Sequence, residues 1–201
     1  MHPSYTSMGY QAPDGTYPNK MRLRYITSNQ AVLRGEYHLG SYLHFSAEGF
    51  YKSYSSYPIS EIEGISLASK GTEYGQVGAE AVLSTGEGRA YGAEVVARLM
   101  PWHQFSATAT YTLFRSEFTD KAGIYRPSSW DTRQMLNLLL SYRLGKSWYL
   151  SASWRYSGGA PYTPIDMELS TNKAAWTVTN RAYPDYARFN TLRLPASCTR
   201  P

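Results

Sequence analysis

The sequence predicts an all-β protein, an antiparallel transmembrane β-barrel fragment of about six strands with long outer loops. Three observations predict it. Apolar residues recur at every second position in six separate runs. Tight turns at residues 38–42, 100–104 and 145–147 join the runs in pairs. The connections between pairs are long, polar and rich in Gly, Ser and Thr. Short turns on one side and long loops on the other mark hairpins crossing an outer-membrane-type barrel.

Residues 1–30 read as loop, because Pro13-Asp14-Gly15 and Pro18-Asn19 are turn formers. In the first run, Ala31, Leu33, Gly35 and Tyr37 share one face, with Arg34 and Glu36 on the other. After the first turn, Leu43, Phe45, Ala47, Gly49 and Tyr51 alternate with His44, Ser46, Glu48 and Lys52. In the second hairpin, Tyr91, Ala93, Val95, Ala97 and Leu99 oppose Glu94 and Arg98. Phe105, Ala107, Ala109, Tyr111 and Leu113 then alternate with Ser106, Thr108, Thr110 and Thr112. The third hairpin gives Leu136, Leu138, Leu140, Tyr142 and Leu144, followed by Trp148, Leu150, Ala152, Trp154 and Tyr156. Opposite them lie Asn137, Ser141, Arg143, Ser151, Ser153 and Arg155. A period of two is a strand signal, and runs of about nine to eleven residues suit tilted membrane strands. Phe114, Leu139, Val32 and Val96 interrupt the polar side.

Placement of the aromatics agrees. Among nineteen Tyr, six Phe and five Trp, Tyr37, Tyr42, Trp102, Phe105, Tyr142 and Trp148 flank the tight turns, and Tyr51, Tyr91, Tyr111, Trp154 and Tyr156 lie near the opposite strand ends, as in the girdles at two membrane interfaces. A soluble sandwich also alternates, but its turns should be comparably short at both ends. No run reaches the roughly 18 apolar residues of a membrane helix. The net charge of +5 includes no block of Lys or Arg, so nothing points to nucleic acid. The first 20 residues lack the basic head and apolar stretch of a signal peptide. Cys198 stands alone and fits no metal motif. The smallest membrane barrels need about eight strands, and an open edge cannot face lipid. Six strands therefore read as part of a larger wall.

Several stretches resemble, in order, the C-terminal barrel half of TonB-dependent outer-membrane receptors. They are Glu48-Gly49-Phe50-Tyr51-Lys52, Glu63-Gly64-Ile65-Ser66-Leu67-Ala68 and Gly86-Glu87-Gly88-Arg89-Ala90-Tyr91-Gly92-Ala93-Glu94. Tyr111-Thr112-Leu113-Phe114-Arg115-Ser116-Glu117, Tyr125-Arg126-Pro127-Ser128-Ser129-Trp130-Asp131 and Ser157-Gly158-Gly159-Ala160-Pro161-Tyr162-Thr163-Pro164 follow. The resemblance implies a barrel of about 22 strands closed by an N-terminal plug. It also implies import of a scarce ligand of the siderophore, vitamin or glycan class, with energy relayed through TonB. It makes residues 1–195 a partial barrel domain without a counterpart of the plug, in the outer membrane of a Gram-negative-type bacterium. Residues 196–201 depart from the pattern and read as an aberrant or truncated tail, and the fragment alone is not expected to transport. The implied partners are outer-membrane lipid, the plug and TonB system through the missing part, and the small imported ligand.

The candidate lumen- or plug-facing residues are Arg34, Glu36, Glu48, Glu94, Arg98, Arg143 and Arg155. A charge on the lipid face costs about 2–4 kcal/mol at midplane, which assigns them inward; a solvated polar wall is the simpler account of the same residues. Tyr125, Trp130 and Tyr162 are candidate outer-loop contacts, with loop packing the competing account. Gly86, Gly88 and Gly92 lack nucleotide-loop spacing. The four histidines have no ligand spacing, and Ser46 beside His44 lacks a third partner for catalysis. No enzyme activity, metal or cofactor is expected. The alternative function is an independently folded β-sheet binding protein or surface adhesin.

Overall fold

The computed structural model describes residues 5–70, 77–179 and 182–199. Its framework is one antiparallel sheet of long strands: β1 (Thr27–Leu39), β2 (Leu43–Ser60), β3 (Val82–Trp102) and β4 (Phe105–Thr119). The short β5 (Tyr125–Pro127) pairs with β4, and β6 (Gln134–Leu144) and β7 (Trp148–Ser157) continue the sheet. A two-strand ribbon, β8 (Pro161–Tyr162) with β9 (Leu192–Arg193), stands apart. The sheet ends with β10 (Ser197–Thr199), which lies within the expected tail and pairs with Ser157, Tyr156 and Arg155. The order is β1-β2-β3-β4-β6-β7-β10, and among the described residues nothing joins β1 to the far edge.

The pairing register brings the alternation of separate strands into common rows. Gly35, Ala47, Val95, Tyr111, Leu136 and Tyr156 are successive partners across all six long strands. The row Glu36, Ser46, Val96, Thr110, Asn137 and Arg155 lies on the other face. A slip of one residue in any pair would reverse that strand's faces. Among the described residues nothing covers the middle of the apolar face: Leu33 is 81% exposed and Leu150 69%. So wide an uncovered apolar surface is not tolerated by a soluble monomer.

Two features differ from the sequence expectation. The strands β2, β3 and β4 run to 18, 21 and 15 residues, beyond the runs where alternation is visible. In their distal halves both faces are covered, so period two is lost. Ile59, Val82 and Phe118 are buried there, and register shifts fall at Tyr54, Tyr57 and Ile59. Secondly, residues 1–30, expected to be loop, hold two short helices, α1 (Tyr5–Met8) and α2 (Pro18–Arg22), and the first four residues of β1. Pro18 sits at the start of α2, where its missing N–H costs nothing.

Asn19, read from sequence as a turn former, is fully buried. Its Nδ2 donates to the carbonyls of Ser7 and Glu80, both at 2.7 Å, and its Oδ1 accepts from the Val82 N–H at 3.0 Å. One amide therefore pins the N-terminal segment to the start of β3. Asn19→Ala is expected to lose about 1–3 kcal/mol of local stability. Limited trypsin digestion should then cut at Lys20 and Arg22 at lower protease concentration, with the long strands still resistant.

Candidate functional site

The candidate residues fall at four places. Arg34, Glu36, Glu48, Glu94 and Arg98 gather on the polar face of β1, β2 and β3. Arg34 bridges Glu36 at 2.6 Å and reaches Glu48 at 3.9 Å. Glu48 stands directly across from Glu94, a like-charge pairing that Arg34 offsets. Glu94 also accepts a hydrogen bond from Thr112 Oγ1 at 3.1 Å. Nearer the tight turn, Arg98 lies opposite His44, whose ring meets His38 edge-on at 4.4 Å. Arg34, Glu36, His38, His44 and Arg98 line a shallow depression together with Ser46.

Arg155 lies apart on β7, donating from Nε to Asn137 Oδ1 at 2.9 Å. Arg143 sits at the tight-turn end, its guanidinium 3.4 Å from the Lys146 carbonyl and 5.9 Å from the Tyr149 ring centroid. The seven charges thus share a face without forming one site. Among the described residues, no cluster of three or more His, Cys, Asp or Glu could hold a metal. No helix among them is long and apolar enough to cross a membrane.

At the opposite end the long connections fold onto one another. Tyr125 lies under the Arg89 guanidinium at 4.2 Å and donates to Glu87 at 3.2 Å, while Arg89 pairs with Glu117 at 2.7 Å. Arg89 and Glu117 stand across from each other on the side continuous with the apolar face. Tyr125 is therefore engaged on that side, away from the charged cluster. Trp130 is 65% exposed, and Tyr162 stands on β8 opposite Leu192.

The anchors of this end were not singled out from sequence. Asp131 is completely buried, and a carboxylate there requires partners. Arg193 donates to both its side chain and its carbonyl, Arg115 approaches at 3.7 Å, and the Ser116 N–H reaches Oδ1 at 3.2 Å. Gly159 permits this closure, since a Cβ there would lie 1.6 Å from the Leu194 carbonyl oxygen. A second anchor is Lys70, held between Glu63 and Glu80. Burial opposes its charge, but hydrogen bonds to both carboxylates outweigh that and raise its pKa. The one sequence signal for Asp131 is its place beside Trp130 in the stretch from Tyr125 to Asp131; Lys70 carries none.

No family model matches the chain, and no curated protein matches it. A solved structure does: the ferripyoverdine receptor of the outer membrane of Pseudomonas aeruginosa, crystallised with ferripyoverdine bound. The TM-score is 0.56 at 15% identity, over 94% of this chain and 22% of that one. What is shared is the fold. This all-β chain resembles part of an outer-membrane barrel, and it spans about a fifth of its neighbour's length.

Two outcomes are expected at the loop end. Asp131→Ala leaves Arg193 without its carboxylate and should cost about 3–5 kcal/mol, read as a lower urea midpoint for the folded chain in detergent. The raised Lys70 pKa means its anchoring is complete below the ordinary lysine value of about 10.4. It is lost as pH rises through the higher folded value, so fluorescence-monitored loop opening should begin above that range and disappear in Lys70→Met.

Proposed function

We propose that this chain forms part of the wall of a TonB-dependent outer-membrane receptor that imports a small ligand. The observation that carries the reading is the register: six strands align their apolar residues into continuous rows, and their charges fall on the reverse face. Aromatic pairs at both ends of the apolar rows support it. Tyr42 lies 6.4 Å from Trp102 at the tight-turn end, and Tyr51 lies 6.4 Å from Tyr91 at the other. Interfacial rings in this arrangement suit a bilayer. The fold likeness to an outer-membrane receptor points the same way. In this reading the polar face lines the lumen, and Arg34, Glu36, Glu48, Glu94, Arg98, Arg143 and Arg155 meet a plug or the permeation path. Trp130 and Tyr162 belong to the outer surface that a ligand meets first. The plug and the TonB contact come from outside residues 1–201.

Single cysteines carrying an environment-sensitive dye test this reading in a Cys198→Ser background. A dye at Leu138 should be shielded by membrane lipid and one at Thr110 open to aqueous quencher. Equal quenching at both positions, in a chain recovered from the soluble fraction, would instead favour an independently folded binding protein. Leu138→Arg should destabilise the membrane-inserted protein by about 2–4 kcal/mol, and Thr110→Arg far less.

A further inference from the structure

Among the described residues, the apolar face of the long strands carries charge at one end alone. Arg115 stands directly opposite Tyr91, and Arg89 directly opposite Glu117, both at the loop end. At the tight-turn end the row Leu39, Leu43, Leu99, Ala107, Leu140 and Ala152 holds no ionisable group. The strand arginine nearest that row, Arg143, lies on the reverse face.

Arg115 therefore shares a row with Tyr51 and Tyr91, the rings that mark the membrane boundary at this end. In the next row toward the tight turns, Ala93, Leu113 and Gln134 are successive partners. Those three, with Tyr91, Arg115 and Arg133, line most of a depression of about 640 Å³. Gln134 is fixed on the apolar face, accepting from the Tyr111 hydroxyl at 3.0 Å and donating to Tyr156 at 3.2 Å. An apolar floor with cations along one rim suits an amphiphile.

The cations at that rim outnumber their partners. Arg89 is paired with Glu117 at 2.7 Å, Arg193 is paired with Asp131, and Glu87 accepts from Tyr125. Arg115 is left 3.7 Å from an Asp131 carboxylate that Arg193 and the Ser116 N–H already satisfy, with 38% of its side chain exposed. Partial loss of water and the nearby Arg193 and Arg115 charges push the Arg133 pKa below the ordinary arginine value. Asp131 and Glu117 offset only part of that crowding. Four guanidiniums thus meet three carboxylates at the mouth of an apolar depression.

We propose that this depression seats an anionic lipid, its phosphate on Arg115 and Arg133 and an acyl chain over Ala93 and Leu113. A guanidinium presents a fork of N–H donors to phosphate oxygens and is more weakly hydrated than an ammonium, which suits it to an interface. A zwitterionic headgroup brings its own cation, which the two arginines repel. The seat belongs to the leaflet at the loop end, because the outward arginines are confined there. The inference rests on reading the apolar face as lipid-facing, and it names the lipid that this part of the face holds.

Native mass spectrometry of the full chain in detergent tests it, with phosphatidylglycerol and phosphatidylcholine of the same acyl chains as probes. Phosphatidylglycerol should bind about tenfold more tightly, the worth of one charge-assisted hydrogen bond. Arg115→Gln and Arg133→Gln should each remove most of that preference, and Arg143→Gln, on the reverse face, should leave it intact. Arg133→Gln spares the Asp131–Arg193 pair, so it supplies the charge test in a folded chain. Equal binding of the two lipids, a preference indifferent to Arg115 and Arg133, or one lost equally in Arg143→Gln overturns the proposal. Displacement of phosphatidylglycerol by an equal concentration of inorganic phosphate would mark a free-anion site and overturn it too. The dye measurement at Leu138 and Thr110 does not depend on headgroup charge. Loss of the lipid-facing pattern there with headgroup preference intact would therefore remove the receptor reading and keep the seat. The reverse result would remove the seat alone.

Discussion

Backbone hydrogen bonding governs what this sheet is able to be. A strand in hydrocarbon has no water to satisfy its N–H and C=O groups, so each must find a neighbouring strand on both sides. Within the sheet that demand is met from β2 to β6. At the β1 edge it is not met, and on β7 only Arg155, Tyr156 and Ser157 gain partners from β10. The apolar rows and the open edges therefore make opposing demands on this chain alone. In the reading proposed above, the rows face lipid, the edges cannot until further strands are added, and a larger wall satisfies both.

The two ends of the sheet are stabilised by different physics. The tight-turn end needs little beyond local geometry: Gly40 and Gly145 take up positive φ, and the hairpins follow. The loop end buries a small apolar cluster that includes Ile59, Val82 and Phe118, and adds buried charges that are paired. Asp131 with Arg193, and Lys70 with Glu63 and Glu80, are each costly to break because a lone charge would stay behind without water.

The spans, faces and tight turns were legible in the sequence because period-two alternation is a local property. Leu138 and Asn137 declare their faces without knowledge of any partner strand. The extensions of β2, β3 and β4 were not legible, because there burial comes from loops distant in sequence and imposes no period. Asn19 illustrates the same limit: its residue type said turn, and only the Glu80 carbonyl and Val82 N–H reveal an anchor. Among the candidate residues, shared facing was readable for Arg34, Glu48 and Arg98, but their division from Arg143 and Arg155 depended on tertiary placement.

The folded connections are also latched to one another. Tyr186 donates to Glu63 at 2.7 Å, Arg126 to the Ala187 carbonyl at 3.2 Å, and Asn190 to the Pro127 carbonyl at 2.9 Å. Each latch joins the connection after β7 to one that precedes it. Three strings of residues are thereby converted into a single mechanical body, whose conformational entropy is surrendered during folding. Anything docking on it meets a preorganised surface and loses little further freedom in the encounter. Severing the Tyr186–Glu63 latch would free the connection after β7 from the one between β2 and β3, while Arg126 and Asn190 would still hold it to the one between β4 and β6.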